Sequence, residues 1–110
     1  MKKVIFTIFI ALLISCQSDS EGTLGIEVPL GDERVSSISP YVVVGIVEGS
    51  PADRAGVKPD DIIVQVDGRP TRGMLFDEVF NDHLLGKKGE PVTIVVERNG
   101  ENYVFQIVRE

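Results

Sequence analysis

Between two aliphatic runs the chain carries GSPADRAGVKPDD, residues 49–61, and no other stretch of its 110 residues constrains the fold so tightly. Ser50 suits the N-cap of a helix, and Pro51 the first helical position, where a missing N–H costs nothing. Asp53 follows Ser50 by three residues, close to a capping box and favourable at the positive end of a helix. Gly56 can take the left-handed conformation that ends one. The stretch therefore predicts a single turn over Pro51 to Ala55. A turn so short cannot hold alone and must be pinned by packing, through Ala52, Ala55 and Val57.

Strands are expected on both sides. YVVVGIV, Tyr41 to Val47, is apolar throughout, which predicts a strand buried on both faces. Ile62 to Val66 reads as a strand that turns on Asp67-Gly68, a strong hairpin signal. A second hairpin begins at Pro91. Val92, Ile94 and Val96 share a face, Asn99-Gly100 makes the turn, and Tyr103, Phe105 and Ile107 alternate on the return. Between the hairpins, Met74 to Leu85 has helical spacing, with Phe76, Val79, Phe80, His83 and Leu84 on one side and Gly86 as the stop. The order predicts an α+β domain: a small, partly open β-barrel or sandwich with one short and one long helix.

The first sixteen residues have a different character. Lys2 and Lys3 precede an uncharged run from Val4 to Ile14 that is too short to span a bilayer, and then a processing site, the order of a secretory signal. Leu13-Ile14-Ser15-Cys16 resembles the bacterial lipobox, which implies cleavage after residue 15 and lipidation of Cys16. The other reading is an ordinary signal peptide or anchor that happens to hold a cysteine. With one cysteine in the chain, no intrachain disulfide is possible. Residues 16–22 read as the lipidated cysteine and a short polar tether, and residues 23–110 as one domain. Beyond the signal, nine basic residues face seventeen acidic ones, a net charge of −8. That balance argues against nucleic acid and against electrostatic docking on anionic lipid, so membrane attachment is expected through the lipid. The resemblance places the protein in a bacterial cell envelope, and Gln17 and Ser18 after the cysteine imply the outer membrane, on its periplasmic face.

VVVGIVEGSPADRAGVKPDDIIVQVDGRP, followed by a helix and GEPVTIVVERNG, resembles a PDZ domain. It is similar to the circularly permuted kind found beside carboxy-terminal processing peptidases and high-temperature-requirement proteases. The resemblance covers most of Thr23 to Arg109 and implies a peptide site. Thr23-Leu24-Gly25-Ile26 matches the family's X-Φ-G-Φ loop, and the strand Ile26, Glu27 and Val28 would receive an extended peptide along its edge. Physically, the N–H groups of Leu24, Gly25 and Ile26 can converge on one carboxylate, and Gly25 leaves the approach open. Val79 and His83, one helical turn apart, are the expected helix wall, with Phe76, Phe80 and Leu84 as core. The family's Gly-Asp after the short helix is Asp60-Asp61 here, and Asp60 is expected to take the left-handed region instead of glycine. No Lys or Arg precedes the loop, and Glu21 would oppose a carboxylate, which leaves internal segments as the other ligand class.

Catalysis is not expected. The one cysteine lies at the lipid site, the one histidine has no partner base in sequence, and no Cys/His cluster suggests metal. No cofactor is implied. The leading expectation is a membrane-anchored module that captures C-terminal or extended segments of envelope proteins by strand addition, an adaptor that could hand substrates to an envelope protease. The alternatives are a structural or assembly lipoprotein that docks on a folded partner, or a non-catalytic relic of a PDZ protease. A β-branched residue at Gly25 is expected to abolish peptide capture and leave the fold intact.

Overall fold

A computed structural model describes residues 21–110. The expected signal peptide 1–15, Cys16 and the first part of the tether lie outside the described residues.

The expected short helix forms as α1, Pro51–Ala55. Ser50 Oγ accepts from the Asp53 N–H at 3.3 Å, the Asp53 carboxylate accepts from the Gly49 N–H at 2.9 Å, and Gly56 closes the turn at φ 107°. Ala52 and Val57 pin it to the core. Asp60 takes φ 76°, as expected of a residue standing where glycine is usual.

Before α1 come β1 (Glu21–Gly22), β2 (Ile26–Glu27) and β3 (Gly45–Ile46); after it come β4 (Ile62–Val66) and β5 (Arg69–Pro70). A short α-helix, α2 (Phe76–Glu78), runs directly into a π-helical turn over Val79–Leu84. The chain ends with β6 (Gly86–Lys87) and the long hairpin β7 (Pro91–Arg98) and β8 (Glu101–Val108). The main sheet has the order β5-β4-β7-β8, and β1-β6 and β2-β3 are two-stranded ribbons. The result is an α+β fold with one short and one longer helix, and its sheets stay open rather than closing into a barrel. Both expected hairpin turns have positive φ at their two central residues, 51° and 82° at Asp67-Gly68, and 54° and 80° at Asn99-Gly100. That geometry matches the twist of the flanking strands.

One core cluster holds these elements together, with Tyr41, Val43, Ile63, Val79, Ile94 and Val96 fully buried. Three expectations need correction. Tyr41 to Val47 is not buried on both faces: Tyr41 and Val43 point inward, while Val44 is 61% exposed. The segment changes partner midway. Val42 bridges Ile62 of β4, Gly45 and Ile46 pair with β2, and no second layer among the described residues covers Val44. The second helix is shorter than Met74 to Leu85, because Leu75 and Leu85 are already extended. Glu21 and Gly22 are not tether but a strand, paired with Lys87 and Gly86.

Two arginines tie distant segments. Arg98 on β7 forks onto Asp61 at 2.8 and 2.7 Å. Burial pushes the Asp61 carboxyl up, but the hydrogen bonds from Arg98 and the Lys58 N–H, with both positive charges, outweigh it and hold the group below its usual value. Arg109 is buried between Gly22 and Gly86, where a Cβ at either glycine would fall within 2.9 Å of it. Its guanidinium donates to the carbonyls of Leu84 and His83, both at 2.9 Å, and so caps the π turn from across the domain.

Candidate functional site

The loop from Thr23 to Ile26 enters β2 over the end of α1. The Leu24 carbonyl accepts from the Ala52 N–H at 3.0 Å, and the Gly25 carbonyl from the Val47 N–H at 2.9 Å. With both carbonyls drawn inward, the N–H groups of Leu24 and Gly25 have no acceptor among the described residues. Gly25 sits at φ 83°, and a Cβ there would lie 2.1 Å from the Ser50 Cβ. Glycine is therefore required twice, for its dihedral and for its contact with the α1 cap. Thr23 differs from its neighbours. It exchanges both backbone hydrogen bonds with Glu110, at 3.0 and 3.1 Å, so its N–H is already engaged.

A recess of about 150 Å³ opens beside this loop, lined by Thr23 to Ile26, Val47, Phe80, Leu84 and Leu85. None of these side chains is charged. An anion placed here would meet the free N–H groups of Leu24 and Gly25 and apolar walls, with no lysine or arginine in the lining. The Ile26 N–H also points away from β3, because Ile26 and Ile46 form a non-bonded pair. A larger recess of about 420 Å³ lies elsewhere, between Val35, Pro40, Ile62, Val64 and Arg72, and none of the expected site residues borders it. Size alone does not mark a site, and convergent unpaired donors are found beside the smaller recess.

Of the expected site residues, the structure brings Thr23, Leu24, Gly25 and Ile26 to this recess. Glu27 shares β2, but its side chain lies over Gly45 of β3 and only its backbone stays near the loop. Val28 packs against the core. Val79 is fully buried and does not reach the recess, and His83 is half-buried and outside it. The helix wall is made instead by Phe80, Leu84 and the following Leu85. The wide π turn is the cause: the Leu85 N–H donates to the Phe80 carbonyl five residues back, so the face differs from that of a regular helix. Sequence spacing assigned Phe80 and Leu84 to the core and passed over Leu85 and Val47. The Leu84-Leu85 doublet just before Gly86 was the one available signal for a wall at the helix end. Among the described residues no three His, Cys, Asp or Glu side chains gather as a metal site.

The sequence profile of the PDZ domain matches residues 42–98. A probable CtpA-like serine protease of Staphylococcus aureus is 37% identical over 94 residues, which cover 86% of this chain and 19% of the relative. The chain thus spans about a fifth of the length of the curated relatives it matches. Among solved structures, the photosystem II D1 C-terminal processing protease superposes with a TM-score of 0.71 at 28% identity, over 84% of this chain and 24% of that one. The HtrA3 PDZ domain bound to a phage-derived ligand, FGRWV, superposes with a TM-score of 0.61 at 26% identity, over 81% of this chain and 85% of that one.

Proposed function

The chain belongs to the PDZ domain family, and from that premise we propose that it binds extended peptide segments along β2, with a terminal carboxylate at the N–H groups of Leu24 and Gly25. The single observation that carries this reading is that pair of unengaged donors beside an uncharged apolar recess. The recess suits one aliphatic side chain, and the edge of β2 facing the helix suits strand addition. The ligand held by the HtrA3 domain, which ends in valine, supports the same chemistry here. In this reading the chain binds and does not catalyse, and the protease activity of the relatives resides in the four-fifths of their length outside the match. The protein acts in a bacterial envelope as a lipid-anchored adaptor, held through Cys16. Cys16→Ala should then move it from the membrane to the soluble fraction, and retention at the membrane would refute the anchor.

Binding itself is tested with peptides of identical sequence bearing free or amidated C-termini. Free termini should bind roughly 10- to 100-fold tighter, the equivalent of the 1.5–3 kcal/mol typical of hydrogen bonds to a charged group. Leu85→Asp, which places an acid in the wall, should abolish binding and leave the circular dichroism spectrum unchanged. Equal affinity for amidated peptides would replace the carboxylate reading by internal segments lying along β2.

A further inference from the structure

The strand β8 ends the main sheet, and no strand among the described residues pairs along its outer edge over residues 102–106. Arg98 and Glu101 close a two-residue turn, so they form a hydrogen-bonded pair, and the pairs of β7 with Asn102, Val104 and Gln106 are of the non-bonded type. The N–H and C=O groups of Asn102, Val104 and Gln106 therefore point away from β7. The parity is confirmed further on, where Glu110 uses both of its outward groups to pair with Thr23. No such pairing is made by Asn102, Val104 or Gln106 among the described residues.

Exposed edges are normally protected by a charge, a proline or a bulge. Residues 102–106 have none of these, although the chain as a whole is a quarter charged. Val104 is 68% exposed at the centre. The stretch is Asn-Tyr-Val-Phe-Gln: amide, aromatic, valine, aromatic, amide. It has the same chemistry read in either direction, which is what an antiparallel strand needs to pair with itself.

We propose that this edge is a homodimer interface, in which β8 of two copies pairs antiparallel about a two-fold axis at Val104. In that register Val104 faces Val104 of the second copy, Asn102 faces Gln106, and Tyr103 faces Phe105. Each opposed pair is matched in kind, and aromatic pairs are favourable cross-strand neighbours. Six backbone hydrogen bonds join two four-stranded sheets into one of eight. The register also clears the Thr23–Glu110 pairing, because each copy's hairpin tip stops at the level of Val108. The interface is isologous and closed, so it ends at two copies. It does not use the recess at Leu24 and Gly25.

The test uses the purified full chain in mild detergent, with Cys16→Ser so that an added cysteine is the sole thiol. Opposed residues in a bonded pair have Cα atoms about 5.5 Å apart, within disulfide range. Val104→Cys should form a disulfide dimer under mild oxidation. Val108→Cys, which faces Gly100 of the second copy, should not. Sedimentation should show a dimer that grows with concentration, and Val104→Lys, which sets two ammonium groups against each other on the axis, should leave only monomer with an unchanged fold. A chain monomeric at every concentration would overturn the proposal, as would Val108→Cys cross-linking as readily as Val104→Cys. A dimer that survives Val104→Lys would place the contact elsewhere and overturn it too.

Discussion

The two helices of this domain are held in opposite ways. α1 carries its own stops: Ser50, Asp53 and Gly56 satisfy its ends from within seven residues of sequence. The second helix has no side-chain cap of that kind at its far end. The carbonyls of His83 and Leu84 are met by Arg109, more than twenty residues away. The first helix is an anchor point for the loop at Gly25, and the second is the far wall of the recess. The recess is thus formed between a part that is locally determined and a part fixed only by the finished fold.

Four perturbations would sharpen or break that contrast, and the largest strikes where the two parts meet. Gly25→Val combines a strained dihedral with overlap on Ser50, and should cost about 4 kcal/mol by urea denaturation. Peptide capture would then be lost while the fold is weakened, contrary to the expectation from sequence that the fold would be left intact. Arg109→Met leaves two carbonyls of the π turn without their donor, and should cost about 3 kcal/mol and weaken peptide binding. A fully stable Arg109→Met protein would show that the second helix, too, is locally determined. Ser50→Ala should cost only about 1 kcal/mol, and should leave the recess intact.

The fourth perturbation is pH. Asp61 is held below its usual carboxylate value in the fold, so the unfolded chain binds its proton first on acidification. Its contribution is complete above about pH 4 and is lost as pH falls through the depressed folded value. Asp61→Asn should therefore lower stability at neutral pH by about 2 kcal/mol and flatten the acid limb of the stability curve. An unchanged acid limb would mean that the fork from Arg98 contributes little.

The same contrast explains what could be read before the fold was seen. α1, both hairpin turns and the loop through Gly25 depend on residues adjacent in sequence, and their chemistry was legible there. The positive φ of Asp60 was legible for the same reason. The helix wall was not. A period of 3.6 placed Val79 and His83 together, but a π turn closed by Leu85 onto Phe80 has another period, and nothing in the sequence announces it. Nor does a penultimate arginine declare that it will cap a helix. The outward exposure of Val44 was hidden because an apolar run reads alike whether one face is covered or two.

The pairing of Thr23 with Glu110 has a kinetic consequence. It joins the residues farthest apart in sequence among the backbone bonds of the turns and loops, and closing such a long contour costs the most chain entropy. Contacts of that kind form late in folding and are the first to open. The loop that carries the free N–H groups should thus be the last part of the domain to acquire its shape. Amides around Thr23 and Glu110 should exchange with deuterium sooner than those of the β7–β8 hairpin, and a bound peptide should slow that exchange before it slows any other.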